Sequence, residues 1–315
     1  MTSPKTRIAA LYKFVPLQDA LSYQLPLKRL CVEHGVAGTL ILAPEGINGT
    51  IGGPPDGVER VLNYIRNLPG MASIEVKESW ATEMPFFRMK VHHKPEIVTM
   101  GIPAANPLER VGQYVEPEDW NRLIADPEVV IIDTRNHYES RIGTFEGATL
   151  PDTESFRDFP AWVQENESVL KKAKKIAMFC TGGIRCERAT AHMLNEGYDE
   201  VYHLHGGILR YLETVHESES KWTGDCFVFD QRVSVSHGLK EGDWDICFAC
   251  REPIDEQHKS GPGFELGVSC PLCVNQTSDE QKAGYRERHK QQQLARARDE
   301  QHIGVNPREN KRPAN

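Results

Sequence analysis

The chain has 315 residues, 39% hydrophobic and 26% charged, enough for two or three domains with ordinary cores and too apolar for a chain disordered throughout. Near the N-terminus only Ile8 to Tyr12 forms an unbroken apolar run, too short for a signal-peptide core, and no stretch approaches the ~18 apolar residues of a membrane span. The net charge of −8 is uneven: residues 1–95 carry 11 Lys and Arg against 8 Asp and Glu, residues 281–315 carry 9 against 4, and the segment between carries 17 against 33. Basic ends on an acidic body suit a polyanionic partner, although plain solvation explains them as well. Eight cysteines, four of them in two C-x-x-C pairs, fit a reducing, cytoplasmic setting with metal binding better than disulfides.

Arg7 to Phe14 reads as a first strand, and Gln18 to His34 as a helix with Leu21, Leu25 and Leu30 as its apolar stripe, Gly35 as its stop and Pro26 as a kink or break. Gly38 to Ala43 is a second strand, leading through Pro44-Glu45-Gly46-Ile47-Asn48-Gly49 into a hairpin. A helix over Val58 to Leu68 and strands over Ser73 to Lys77 and Arg88 to His92 complete a β-α-β-β-α-β order. That order predicts a ferredoxin-like or acylphosphatase-like α+β sandwich over residues 1–95. The glycine-rich turn has no strand–GxGxxG–helix context, so it reads as structural, with RNA contact as the alternative.

Residues 96–112, rich in Pro and small residues, read as a linker, and residues 113–220 as an α/β domain with a mostly parallel sheet. Val129 to Ile132 is a continuous apolar run, as a central parallel strand requires. It ends in Asp133-Thr134-Arg135 at the sheet edge where α/β proteins bind ligands, which makes Asp133 and Arg135 candidate substrate contacts. Phe145 to Pro151 reads as a strand, Phe156 to Glu165 as a helix, and Ile176 to Phe179 as a buried strand.

The last of these strands runs into Cys180-Thr181-Gly182-Gly183-Ile184-Arg185-Cys186, after which a helix extends to Gly197. A cysteine in a tight loop at a helix N-terminus faces converging backbone N–H groups and the positive end of the helix dipole. Both stabilise a thiolate, and Arg185 reinforces them, so Cys180 is the candidate nucleophile and Arg185 its catalytic partner. Four residues separate Cys180 from Arg185, one fewer than in the cysteine phosphatases; the smaller cradle suits a group such as the outer sulfur of a persulfide. The bland alternative is a buried core thiol. Downstream, His203 and His205 share a strand face, but no carboxylate is placed to complete an iron triad.

Residues 221–277 read as a hairpin, over Cys226 to Asp230 and Arg232 to Val235, followed by Cys247-x-x-Cys250 and Cys270-x-x-Cys273. Four thiolates at this spacing match a closed structural zinc site; redox pairs and an iron–sulfur cluster are the alternatives. Residues 278–315 read as a basic helix, with Arg286, Arg288 and Lys290 as candidate RNA contacts, Tyr285 and His289 interleaved for base stacking, and a disordered end from Gly304.

Ile132 to Asn136, Glu139, Gly147-Ala148, the Cys180 loop and Leu204-His205-Gly206-Gly207 together resemble a rhodanese domain. With Ala43 to Thr50 and Gly224 to Asp230 added, the chain resembles the bacterial rhodanese-domain tRNA uridine hydroxylases from about Ile8 to about Arg288. The resemblance implies oxygen-dependent 5-hydroxylation of the wobble uridine in the tRNA anticodon loop, the first step toward 5-alkoxyuridines. It places the active cysteine on Cys180, as thiolate or persulfide, within the loop Thr181, Gly182, Gly183, Ile184 and Cys186. Molecular oxygen is then a co-substrate, yet no flavin, haem or iron motif stands in the sequence to activate it. Two rivals remain: a sulfurtransferase carrying a Cys180 persulfide, and a zinc-stabilised RNA-binding protein with a rhodanese scaffold.

Overall fold

A computed structural model of the chain describes residues 6–298. They form two compact units, residues 6–85 with 89–242 and residues 86–88 with 243–298. The end expected to be disordered from Gly304 lies outside the described residues.

The first unit begins with a sandwich of β1 (Thr6–Phe14), α1 (Gln24–Glu33), β2 (Ala37–Ala43), β3 (Gly46–Gly53), α2 (Pro55–Arg66), β4 (Val76–Ala81) and β5 (Met89–His93). The sheet order is β4-β1-β3-β2-β5, antiparallel except for the parallel β2–β5 pair. Its first four strands follow the split β-α-β scheme expected from the element order, and β5 extends the edge. Alternation in β2 buries Leu40 and Leu42 against Val58, Val61, Leu62 and Ile65 of α2. The stripe expected on the first helix is displaced. A 3₁₀ turn over Ala20–Tyr23 precedes α1, resets its phase and buries Leu27 and Cys31, leaving Leu21 and Leu25 exposed. At Gly49, inside β3, a Cβ would lie 2.0 Å from the Thr39 carbonyl, so glycine here is demanded by the close approach of the neighbouring strand.

The remainder of the unit contains β6 (Gln113–Val115), α3 (Pro117–Ile124), β7 (Val129–Asp133), α4 (His137–Ser140), β8 (Gly143–Phe145), α5 (Phe159–Glu165) and α6 (Glu167–Leu170). It continues through β9 (Lys175–Phe179), α7 (Ile184–Asn195), β10 (Val201–Leu204), α8 (Gly207–Thr214), β11 (Trp222–Gly224), β12 (Cys226–Phe227) and β13 (Ser234–Val235). The parallel sheet has the order β6-β10-β9-β7 and is covered on both faces. Pleating sends Ile132 and Met178 to one core with Phe159 and Met193, and Ile131, Ala177 and Phe179 to the other with Trp120, Phe145 and Tyr211. The strand expected at Phe145 to Pro151 is shorter: β8 pairs with β11, and Thr149 only bridges Ile132. Met100 and Ala105, within the stretch read as a linker, are buried in the first of these cores, and Cys226, Val228 and Val235 in the second.

The second unit holds β14 (Asp245–Ile246), β15 (Pro253–Ile254), α9 (Glu256–Ser260) and α10 (Asp279–Ala297). Its small core is Ile254 with Cys247, Cys270 and Cys273. No helix among the described residues is long and apolar enough to cross a membrane.

Candidate active site

Cys180 follows β9, and the loop after it turns into α7 at Gly183, whose φ of 102° is left-handed and open to glycine. The Gly183 N–H donates to Cys180 Sγ at 3.1 Å. The loop carbonyls point away, toward the start of α8: Ile208 N–H donates to the Cys180 carbonyl at 3.0 Å and Leu209 N–H to that of Thr181 at 3.1 Å. Gly207 makes this approach possible, because a Cβ there would lie 2.5 Å from the Cys180 carbonyl oxygen.

Arg185 donates to Glu139 through both terminal guanidinium nitrogens, Nη1 and Nη2, at 2.6 and 2.7 Å, and Glu139 is wholly buried. Glu139 also caps its own helix at Asn136 and approaches Thr181 Oγ1 at 3.3 Å. The arginine is thus a fixed wall of the loop whose positive charge reaches Cys180. Burial pushes the Cys180 thiol up, but the Cys186 S–H, the Arg185 guanidinium and the N–H groups of Cys186 and Gly183 outweigh it, and the thiol is held well below its ordinary range. Cys186 moves the opposite way, raised by burial and by the neighbouring sulfur, and its Sγ lies 3.6 Å from Thr134 Oγ1. One sulfur is poised as a thiolate while the other stays protonated as its donor.

Asp133 and Arg135, expected as substrate contacts, are internal. Arg135 donates to both oxygens of Asp133, at 2.9 and 2.6 Å, and to the carbonyls of Glu139 and Gly143, and neither residue is exposed to any useful degree. The pair braces the loop from beneath. His203 is buried against Tyr114 at 4.3 Å between ring centroids, and burial pulls it down to about 4. His205 is bonded to Glu116 instead.

The side of the loop that faces the sandwich carries residues that sequence reasoning missed. Tyr12 of β1 lies over the loop, its hydroxyl 2.8 Å from where a Cβ on Gly183 would be, and donates to Glu187 Oε1 at 2.9 Å. Lys77 of β4 sits above the Tyr12 ring, 5.2 Å from its centroid. Arg188, one residue beyond Glu187, pairs with Glu45 and Glu96 and donates to the Ala105 carbonyl. Glu45 in turn accepts from the Ile97 N–H at 2.7 Å, so the glycine-rich turn locks the sandwich onto α7. Glu45 stood in the glycine-rich motif quoted from the sequence, and Glu187 directly after the loop, but neither was singled out as a site residue.

In the second unit the four cysteine sulfurs lie within 4.8 Å of one another. The Cys247–Cys273, Cys250–Cys270 and Cys270–Cys273 separations are 3.9, 3.8 and 3.8 Å. Four ligands at ~2.3 Å around a tetrahedral zinc stand ~3.8 Å apart, so the donor set fits that ion. On α10, Arg286 is held by Glu265 at 2.6 and 2.5 Å, and Arg288 donates to the Phe248 carbonyl and lies over Tyr285. Both arginines expected to reach RNA are therefore engaged within the unit, while Lys290 is exposed.

Residues 6–97 match the UPF0176 acylphosphatase like domain and residues 116–214 the rhodanese-like domain. A protein of Gluconobacter oxydans named tRNA uridine(34) hydroxylase is 56% identical over 302 residues, covering 95% of this chain and 96% of that one. Another of that name, from Agrobacterium fabrum, is 55% identical and covers 94% of each. Among solved structures, the rhodanese-like domain of an Anabaena protein aligns at 18% identity and a TM-score of 0.29, over 35% of this chain and 78% of that one.

Proposed function

We propose, since the chain belongs to the tRNA uridine(34) hydroxylase family, that it hydroxylates carbon 5 of the wobble uridine of tRNA with Cys180 as the reactive group. The observation that carries the chemistry is the thiol of Cys180, lowered by Cys186, Arg185 and two backbone N–H groups in a loop braced from beneath. A sulfur nucleophile of this kind attacks carbon 6 of a pyrimidine and makes carbon 5 electron-rich, ready to meet an electrophilic oxygen donor. Cys180 itself is wholly buried, so either the base presses into the loop or the outer sulfur of a persulfide carries the nucleophile to its mouth. Loop N–H groups and Arg185 then stabilise the charge that returns to sulfur. The anticodon loop is already unpaired, which keeps the cost of presenting the base low.

Molecular oxygen is the co-substrate in this reading, one atom going to carbon 5 and the other leaving as water on two electrons from an external reductant, and a tRNA substrate is met in the cytoplasm. The four cysteines Cys247, Cys250, Cys270 and Cys273 hold zinc, which supplies folding energy; a closed shell of four thiolates leaves no coordination position for substrate.

The test is nucleoside mass spectrometry of tRNA from cells lacking the protein, complemented with wild type or Cys180→Ser. The reading expects 5-oxygenated wobble uridines with wild type alone. Depletion of thiolated nucleosides beside an intact oxygenated pool would instead assign sulfur transfer. Equal restoration by Cys180→Ser would remove the cysteine from the chemistry altogether.

A further inference from the structure

The wall above the Cys180 loop contains a carboxyl that the hydroxylation reading leaves unused. Glu187 stands in the first turn of α7, beside Cys186, and projects toward the sandwich. Tyr12 from β1 donates to its Oε1 at 2.9 Å, and the Tyr114 hydroxyl of β6 is close enough to stabilise its carboxylate form. Lys77 from β4 faces the same carboxyl and is itself near Glu75, Cys180 and Arg210. Three strands from distant parts of the chain therefore converge on one acid beside the reactive sulfur.

Their electrostatic balance is unusual for a glutamate. Burial raises its pKa, the two tyrosine hydroxyls lower it, the Cys180 thiolate raises it and Lys77 lowers it, with a net upward shift. Lys77 is shifted downward by its own burial and so sits closer than usual to neutrality. A partly buried carboxyl raised above its ordinary range and held by hydroxyl donors is the kind of group that serves general acid–base catalysis.

Resting on the uridine reading above, we propose that Glu187 is the acid–base residue that adds and removes the proton at carbon 5, so that the protein also exchanges the carbon-5 hydrogen of the wobble uridine with solvent when oxygen is absent. The Cys180 sulfur, as thiolate or as the outer sulfur of a persulfide, donates an electron pair and forms a bond to carbon 6. The pair of the carbon 5–carbon 6 double bond moves onto the carbon-4 carbonyl as an enolate. The protonated Glu187 delivers its proton to carbon 5 as the enolate collapses, and becomes a carboxylate. In reverse the carboxylate takes the other hydrogen; its electron pair re-forms the double bond, and the carbon–sulfur pair returns to sulfur. The net change is one hydrogen for another, with no electron gained or lost. In hydroxylation the same final step follows carbon–oxygen bond formation and disposes of the hydrogen that oxygen replaces.

The experiment incubates purified full-length protein with tRNA carrying a wobble uridine in deuterated buffer under anaerobic conditions, then digests the RNA and weighs its nucleosides. Wild type is expected to place deuterium at the wobble uridine, Cys180→Ser none, and Glu187→Gln at a rate about 100-fold or more below wild type with tRNA binding retained. Tyr12→Phe keeps the carboxyl and removes a hydrogen bond that lowers its pKa, so its exchange profile is expected to shift to higher pH, which a purely structural role would not produce. Exchange by Glu187→Gln at the wild-type rate overturns the proposal. So does absence of exchange by wild type that still forms 5-oxygenated uridine in cells, an outcome that leaves the uridine reading standing. Failure of wild type to form 5-oxygenated uridine in cells overturns that reading, and this proposal with it.

Discussion

The chain places cysteines in two contrasting settings. In the first unit Cys180 lies among backbone N–H groups, an arginine and one protonated thiol, which together favour a single thiolate. In the second unit Cys247, Cys250, Cys270 and Cys273 stand with every sulfur within 4.8 Å of the others. Four such sulfurs repel one another as thiolates unless a cation lies between them, so that cluster is built to be closed. At the Cys180 loop the negative charge is balanced by protein donors and one arginine, with no cation needed. Reactivity and ligation thus come from the number of neighbouring sulfurs and the identity of the counter-charge.

The sharpest way to separate the two settings is to remove the zinc proposed for the four-cysteine cluster. Structural zinc contributes ~10–16 kcal/mol of apparent binding energy in small folds, far more than a core as small as Ile254 and its neighbours supplies. A strong chelator is therefore expected to unfold the second unit and leave the first intact. Hydrogen exchange of the full chain reads this directly: amides around Cys247 and Cys270 lose protection while those of β9 and α7 keep it. Equal loss in both would deny that the cluster is an independent folding device.

Within the first unit, Glu139→Gln tests how the loop is held. It leaves the Arg185 guanidinium buried without its counter-charge, a change that costs about 3–5 kcal/mol in comparable buried pairs. The expected outcome is a large drop in the denaturant midpoint with an unchanged slope. A smaller effect at the same site comes from Cys186→Ala, which removes the S–H donor to Cys180. A hydrogen bond to a charged group is worth about 1.5–3 kcal/mol, so the Cys180 thiol should titrate about 1–2 pH units higher. The sign follows from the direction: wild type keeps its thiolate as pH falls below the ordinary thiol range, and the variant loses it earlier. Alkylation rate against pH measures the midpoint.

How much of this was legible in sequence depended on chain separation. The Cys180 loop and the four cysteines are local patterns, and both could be read from spacing alone. Tyr12 and Glu187 are 175 residues apart, and they meet only because the Arg188–Glu45 pair and the Glu45–Ile97 bond dock the sandwich onto α7. No periodicity announces such a meeting. Asp133 and Arg135 misled for a related reason: their position at a strand end suggested a crevice, but Arg135 folds back onto Asp133 and fills its own site. Leu21 and Leu25 failed through phase, since one 3₁₀ turn rotates every later residue of a helix.

The smallest expected effect concerns the basic helix, where sequence assigned Arg286, Arg288 and Lys290 to RNA alike. Arg286 is half-exposed and already bound to Glu265 through two hydrogen bonds. Solvent screens exposed pairs, so Arg286→Ala should barely move stability. If the pair persists on the complex, it should not move the salt dependence of tRNA binding either, because no counterion is released there. Lys290 is exposed, and a lysine that meets a phosphate contributes close to one counterion. Plots of log affinity against log salt should therefore flatten by about 0.7–0.9 for Lys290→Ala and stay parallel to wild type for Arg286→Ala. The reverse pattern would mean that Glu265 releases its arginine to the RNA, and that the ion pair on α10 is a resting contact which substrate replaces.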